Sequence, residues 1–100
     1  MTTSVKEADG KFYVTLSGEL DTATAQEAEV ALQPLLESQG KDIVIDCTDL
    51  EYIASSGLRI LLGILKQARA VGSRVVLKNV NEVVRDVLDL TGFISIFEFE

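Results

Sequence analysis

Two short extended runs separated by Asp9-Gly10, and then a regular alternation of strand and helix, constrain this chain more than any other feature. Val5 to Ala8 reads as a short strand, and Lys11 to Ser17 as a clear one with Phe12, Val14 and Leu16 on one face. The chain therefore opens with a hairpin. Gly18-Glu19-Leu20-Asp21 leads into a helix expected from about Thr22 to Ser38, with Ala25, Ala28, Leu32, Leu35 and Leu36 as its apolar stripe and Asp21 or Thr22 as its cap. Pro34 lies inside that span and is expected to kink the helix or to end its regular part at Gln33, because it has no N–H to donate. Gly40 closes the segment.

After it come a strand from Asp42 to Asp46, a helix running to about Ala70, a turn at Val71-Gly72-Ser73 and a strand from Arg74 to Lys78. A third helix is expected from about Glu82 to Leu90, capped by Asn81 and ended by Gly92. Phe93 to Phe99 alternates into a last, edge strand. Strands joined by helices need right-handed crossovers and hence a largely parallel sheet, while the opening hairpin adds an antiparallel pair. The expected fold class is α/β, a mixed sheet with helices packed on it, formed by residues 1–100 as one domain. A chain of 100 residues fills one core and is too small for a second. The second helix carries Ile60, Ile64 and Val71 off its Leu58-Leu61-Leu65 face, which favours burial between layers over an apolar strip shown to a partner.

Composition narrows the function. Apolar residues make up 47% of the chain, too many for a disordered polymer, yet no apolar run approaches the ~20 residues that cross a bilayer. Met1-Thr2-Thr3-Ser4 lacks the charged-then-apolar order of a signal peptide, so a soluble, cytoplasmic protein is expected. The net charge of −7 argues against nucleic acid, whose phosphates are held by clustered Lys and Arg. There is no histidine, which removes imidazole catalysis and the common zinc ligand sets, and no metal or cofactor is implied. The lone Cys47, at the expected strand end, reads as a small core residue.

Between the strand and the second helix lies Tyr52-Ile53-Ala54-Ser55-Ser56-Gly57-Leu58-Arg59, two hydroxyls and a glycine at a helix start. Ser55 or Ser56 there is expected at the N-terminus, where unpaired N–H groups and the helix dipole favour an added dianion. The same serine is also an ordinary N-cap that needs no function. Glu19, Asp21, Asp46, Asp49 and Glu51 add acidic charge around this end of the sheet, and turn formation and solubility account for most of them.

Three segments in this order resemble a STAS domain of the small bacterial anti-sigma factor antagonist type over essentially the whole chain. They are Gly18-Glu19-Leu20-Asp21, the stretch from Ile45-Asp46 to Ser55-Ser56-Gly57-Leu58, and Leu90-Thr91-Gly92-Phe93. The resemblance implies a partner-switching module. The unphosphorylated form would bind an anti-sigma factor that is also a serine kinase and free the sigma factor, phosphorylation of Ser55 would end the complex, and a phosphoserine phosphatase would restore it. Asp21, Ala54, Ser55, Ser56, Gly57 and Leu58 would form the partner-binding surface, with Asp21 near Ser55. Ala54 stands where the commonest form of the motif has Asp, which removes a hydrogen bond or charge at that point. Family members often add a C-terminal helix; this sequence stops at Glu100, which implies a more exposed sheet edge or third helix.

Other classes are separable. A STAS-type docking or regulatory subunit of a membrane transporter or larger signalling assembly would keep the fold and use the Ser55 loop without phosphate chemistry. An enzyme with Ser55 as nucleophile lacks a histidine base, and no lysine lies close in sequence to the serines. A receiver domain would need acids at the end of its first strand, where this chain has Ser17-Gly18, and a phosphate loop of the Gly-x-x-x-x-Gly-Lys form is absent.

Overall fold

The computed structural model of the chain describes residues 1–37 and 40–100. Strands β1 (Thr2–Ala8) and β2 (Lys11–Leu20) form the opening hairpin, and Asp9 and Gly10 supply the positive φ values, 55° and 75°, that its tight turn requires. Helix α1 (Ala25–Leu32) continues into a 3-10 turn over Gln33–Glu37, and β3 (Asp42–Ile53) follows. Helix α2 (Ser55–Ala70), β4 (Val75–Lys78), α3 (Glu82–Leu90), a 3-10 turn at Phe93–Ser95 and β5 (Glu98–Phe99) complete the chain.

The strands lie side by side in sequence order, β1-β2-β3-β4-β5. Among the described residues only β1 and β2 pair antiparallel; each later strand runs parallel to its predecessor. Successive right-handed crossovers that advance in one direction leave their helices on one face of the sheet. The burial pattern agrees: Phe12, Val14 and Leu16 of β2, Ile43 and Ile45 of β3, and Val75 and Leu77 of β4 are buried, while Tyr13 and Thr15 between them are exposed. Leu58, Leu61, Ile64, Leu65 and Ala68 of α2 pack onto that buried face, with Ile60 and Leu62 half-covered at the flanks. The helix is thus mainly buried, though Val71 beyond its end is exposed. On α3, Val83 and Leu90 stay open to solvent.

Several boundaries differ from the sequence reading, each for a local reason. β1 begins at Thr2, not Val5, because Thr2, Thr3 and Ser4 pair with Ser17, Leu16 and Thr15. Helix α1 begins at Ala25, not Thr22. The carboxylate Oδ1 of Asp21 accepts from the N–H groups of Ala23 and Thr24 at 3.0 and 3.1 Å and holds residues 22–24 in a turn. Pro34 acts as expected: regular helix stops at Leu32, although the tighter turn carries the chain on to Glu37. The expected end at Ser38 lies outside the described residues.

The largest difference is β3, which runs to Ile53 rather than Asp46. Its pairing with β2 slips between Thr15 and Ser17 and again between Gly18 and Glu19, and at each slip β3 carries one residue more than β2. The inward residues of its second half are therefore Cys47, Leu50 and Ile53, spaced by three, and the two-residue period that signals a strand disappears. Cys47 is accordingly interior to a strand, not at its end. The final segment differs too. Gly92, at φ 78°, turns the chain into the 3-10 turn at Phe93–Ser95, and only Glu98 and Phe99 form the edge strand.

Candidate functional site

The two longest strands end together. Leu20 is paired with Ile53, and one residue on the N–H of Ala54 donates to the carbonyl of Leu20 at 2.8 Å. From there the chains part, one into the Asp21–Thr24 turn and the other directly into α2. This places the Ser55-Ser56 pair at the carboxyl end of a parallel strand, beside the turn that precedes α1. The hydroxyls of Thr22 and Ser56 stand 3.5 Å apart across the gap.

The helix start differs from the serine-capped form. The N-cap is Ala54, with extended backbone (φ −98°, ψ 173°), and Ser55 is the first helical residue. Alanine has no oxygen to offer the first free N–H groups, so no side chain caps α2. Ser55 is exposed and makes no hydrogen bond through its side chain among the described residues; Ser56 and Ala54 are half-buried. Gly57 and Leu58 are buried and support the turn from beneath. A methyl on Gly57 would lie 2.5 Å from Leu20 Cγ and 3.0 Å from Ile53 Cγ1, so glycine is needed here for close approach rather than for an unusual φ.

Asp21, half-buried, lies in the neighbouring turn, joined to the serines through Leu20 and Thr22. Its Oδ1 accepts from its own loop and also from the Thr24 hydroxyl at 3.2 Å. Its carboxylate thus shapes the turn beside the serines. Asp46 is likewise structural. It accepts from the Thr48 hydroxyl at 2.6 Å and the Thr48 N–H at 3.0 Å, and these bonds hold its carboxyl below the usual carboxylate range. Asn79, itself at φ 59°, donates to Thr48 Oγ1 at 3.0 Å and ties this bulge to the loop after β4. Cys47 is inert as a nucleophile, because burial, with the Asp46 charge adding to it, pushes its thiol up to about 12.

Two grooves flank the turn. The wider, about 400 Å³, lies between α1 and α2, with Leu32, Leu36, Ile60 and Ile64 among its walls and Ser56 at its end. The narrower, about 250 Å³, is lined by Ser55, Leu58, Arg59, Leu62, Thr91 and Phe93. Arg59 borders both. Arg59 is absent from the site residues expected from the sequence, although its spacing of four from Ser55 puts the two on one face of the helix. Thr91 and Phe93 reach the site only through the packing of the α3 corner onto α2, which no local pattern announces.

The STAS domain family matches residues 2–100 of the chain. BtrV of Bordetella bronchiseptica is 34% identical, over 97% of this chain and 84% of its own length. The anti-sigma-B factor antagonist of Bacillus subtilis is 32% identical, over 94% of this chain and 85% of its own. Among solved structures, an anti-sigma factor antagonist from Mycobacterium paratuberculosis superposes with a TM-score of 0.82 at 31% identity, covering 98% of this chain and 83% of that one.

Proposed function

The chain belongs to the STAS domain family, and from that premise we propose that it is an anti-sigma factor antagonist whose docking turn, Ala54-Ser55-Ser56 with Asp21 beside it and Gly57 and Leu58 beneath, is switched by phosphorylation of Ser55. The observation that carries this reading is the position of Ser55: exposed, first in its helix, and at the lip of the narrow groove lined by Leu58, Leu62 and Phe93. Unmodified, the serine hydroxyls themselves bring no charge to a partner and stand next to apolar walls, with Arg59 at their border. The partner is an anti-sigma factor with serine kinase activity, and its capture by this turn frees the sigma factor.

In the switching step, Ser55 Oγ forms a bond to the γ-phosphorus of ATP as the bond from that phosphorus to the β–γ bridging oxygen breaks. ADP leaves with the electron pair, and the hydroxyl proton passes to a base of the kinase or to water. The product carries about −1.5 to −2 charges and three acceptor oxygens. The fold tolerates them, because Ser55 is exposed and a helix N-terminus favours negative charge. The interface does not, because a dianion at the mouth of an apolar groove must be stripped of water before a partner can close over it. A phosphoserine phosphatase returns the chain to its binding form by hydrolysing the ester.

The test is to incubate the protein with ATP and an ATPase-type serine kinase from the same organism, locate phosphate by mass spectrometry, and measure partner affinity. Ser55→Ala is expected to bind as the unmodified protein does, and Ser55→Asp at least tenfold more weakly, about 1.4 kcal/mol. Phosphate on no residue, together with equal binding by both variants, overturns the switch and leaves a docking module without phosphate control.

A further inference from the structure

We propose that Arg59 is the intramolecular counter-ion of phosphorylated Ser55, a role that rests on the reading of Ser55 as the phosphoacceptor. The two residues are the first and fifth of α2, one turn apart on one side of the helix, and they border the same narrow groove. Residues so spaced have their Cβ atoms about 5–6 Å apart. Helical side chains lean toward the N-terminus, so the arginine reaches back over the turn that holds the serine.

Arg59 is exposed and unengaged: among the described residues the ion pairs are Lys41 with Glu7 and Arg74 with Glu98, and Arg59 makes no hydrogen bond. It is also the one basic side chain among the residues that line the two grooves beside the serines. The carboxylate it faces from α1 is Glu29, across the wider groove. A phosphomonoester competes well against that single, unbonded carboxylate, because it brings up to two charges and three oxygens to a planar guanidinium that can donate two parallel hydrogen bonds.

The switch then has two parts. Phosphorylation installs a dianion at the groove mouth and, in the same event, occupies the cation that an unmodified chain displays there. A partner that uses an acidic group against Arg59 loses that contact as it meets the new charge.

The experiment installs phosphoserine at position 55 by genetic encoding, so that it does not depend on any natural kinase, and titrates the phosphate by phosphorus NMR. An unpaired phosphoserine has its second pKa near ~6. Arg59→Ala is expected to raise the titration midpoint by ~0.3–0.7 units relative to the otherwise unchanged phosphoprotein, as befits an exposed ion pair. Arg59→Lys should recover part of the difference, and Lys66→Ala, three turns along the same helix, should change nothing. Coincident midpoints for the parent and Arg59→Ala, or an equal shift in Lys66→Ala, overturn the proposal. Failure of the switch itself shows elsewhere, as partner binding that phosphoserine leaves unchanged.

Discussion

Gly57 and Leu20 are in such close approach that there is no room for even one methyl group between the first turn of α2 and the end of β2: a Cβ on Gly57 would sit 2.5 Å from Leu20 Cγ and 2.9 Å from its Cδ2. Leu20 is fully buried and cannot step aside. Gly57→Ala is therefore expected to lower stability by about 1–3 kcal/mol, the usual range for overpacking a filled core. Urea unfolding would measure it. Combining Gly57→Ala with Leu20→Ala should cost less than the sum of the two single changes, since each relieves the other.

Ala54→Asp should act in the opposite direction. Ala54 holds the N-cap with extended backbone and offers no acceptor, so an aspartate there gains a hydrogen bond to the N–H of Ser56 or Gly57. The expected gain is about 0.5–2 kcal/mol in unfolding free energy at neutral pH. No change in the denaturation midpoint would show that the start of α2 is already satisfied by water.

Asn81 does two jobs at the start of α3. Its Oδ1 accepts from the N–H of Val84 at 2.8 Å, and its Nδ2 donates to the carbonyl of Leu50 at 2.8 Å, which fastens the helix to the bulged half of β3. Asn81→Asp keeps the cap and loses the tie, whereas Asn81→Ala loses both. The alanine variant should be the less stable, by the ~0.5–2 kcal/mol of an N-cap, with the aspartate variant between it and the parent.

Asp46 gives the fold an acid dependence of known sign. Its carboxyl is held below the ordinary aspartate value of 3.8 by the two Thr48 hydrogen bonds, so the native state favours the ionised form more than the unfolded chain does. That stability is fully present above about pH 5 and is lost as pH falls through 3.8 and on through the lower native value. Asp46→Asn should flatten the stability curve in that acid window and leave the variant less stable than the parent above about pH 5, where the parent's carboxylate is ionised. An equally steep acid limb in the variant would assign the dependence to other carboxylates.

The sequence made the hairpin, the crossovers and the capped third helix legible because each has a local signature. Asp9-Gly10 marks a turn, Pro34 interrupts a helix, and Asn81 and Gly92 bracket one. The second half of β3 was hidden because its bulges replace the two-residue period with Cys47, Leu50 and Ile53. Phe93 to Phe99 misled in the reverse sense: an alternating run became a 3-10 turn once Gly92 redirected the chain. At the candidate site the glycine and the serines could be read, but the identity of the capping residue could not. Sequence alone does not say whether the strand ends at Ile53 or one residue later, and that single step decides whether alanine or serine caps the helix.

The bond from the Ala54 N–H to the Leu20 carbonyl joins positions 34 residues apart. It and the strand pairing behind it aim Ser55, so the geometry of the site is assembled from distant segments even though its serines and glycine are contiguous in the sequence. A kinase or anti-sigma factor that reads this surface is reading a finished tertiary structure. A synthetic peptide carrying Tyr52 to Arg59 should be a poor substitute for the protein, and an incompletely folded chain would be ignored by the switch.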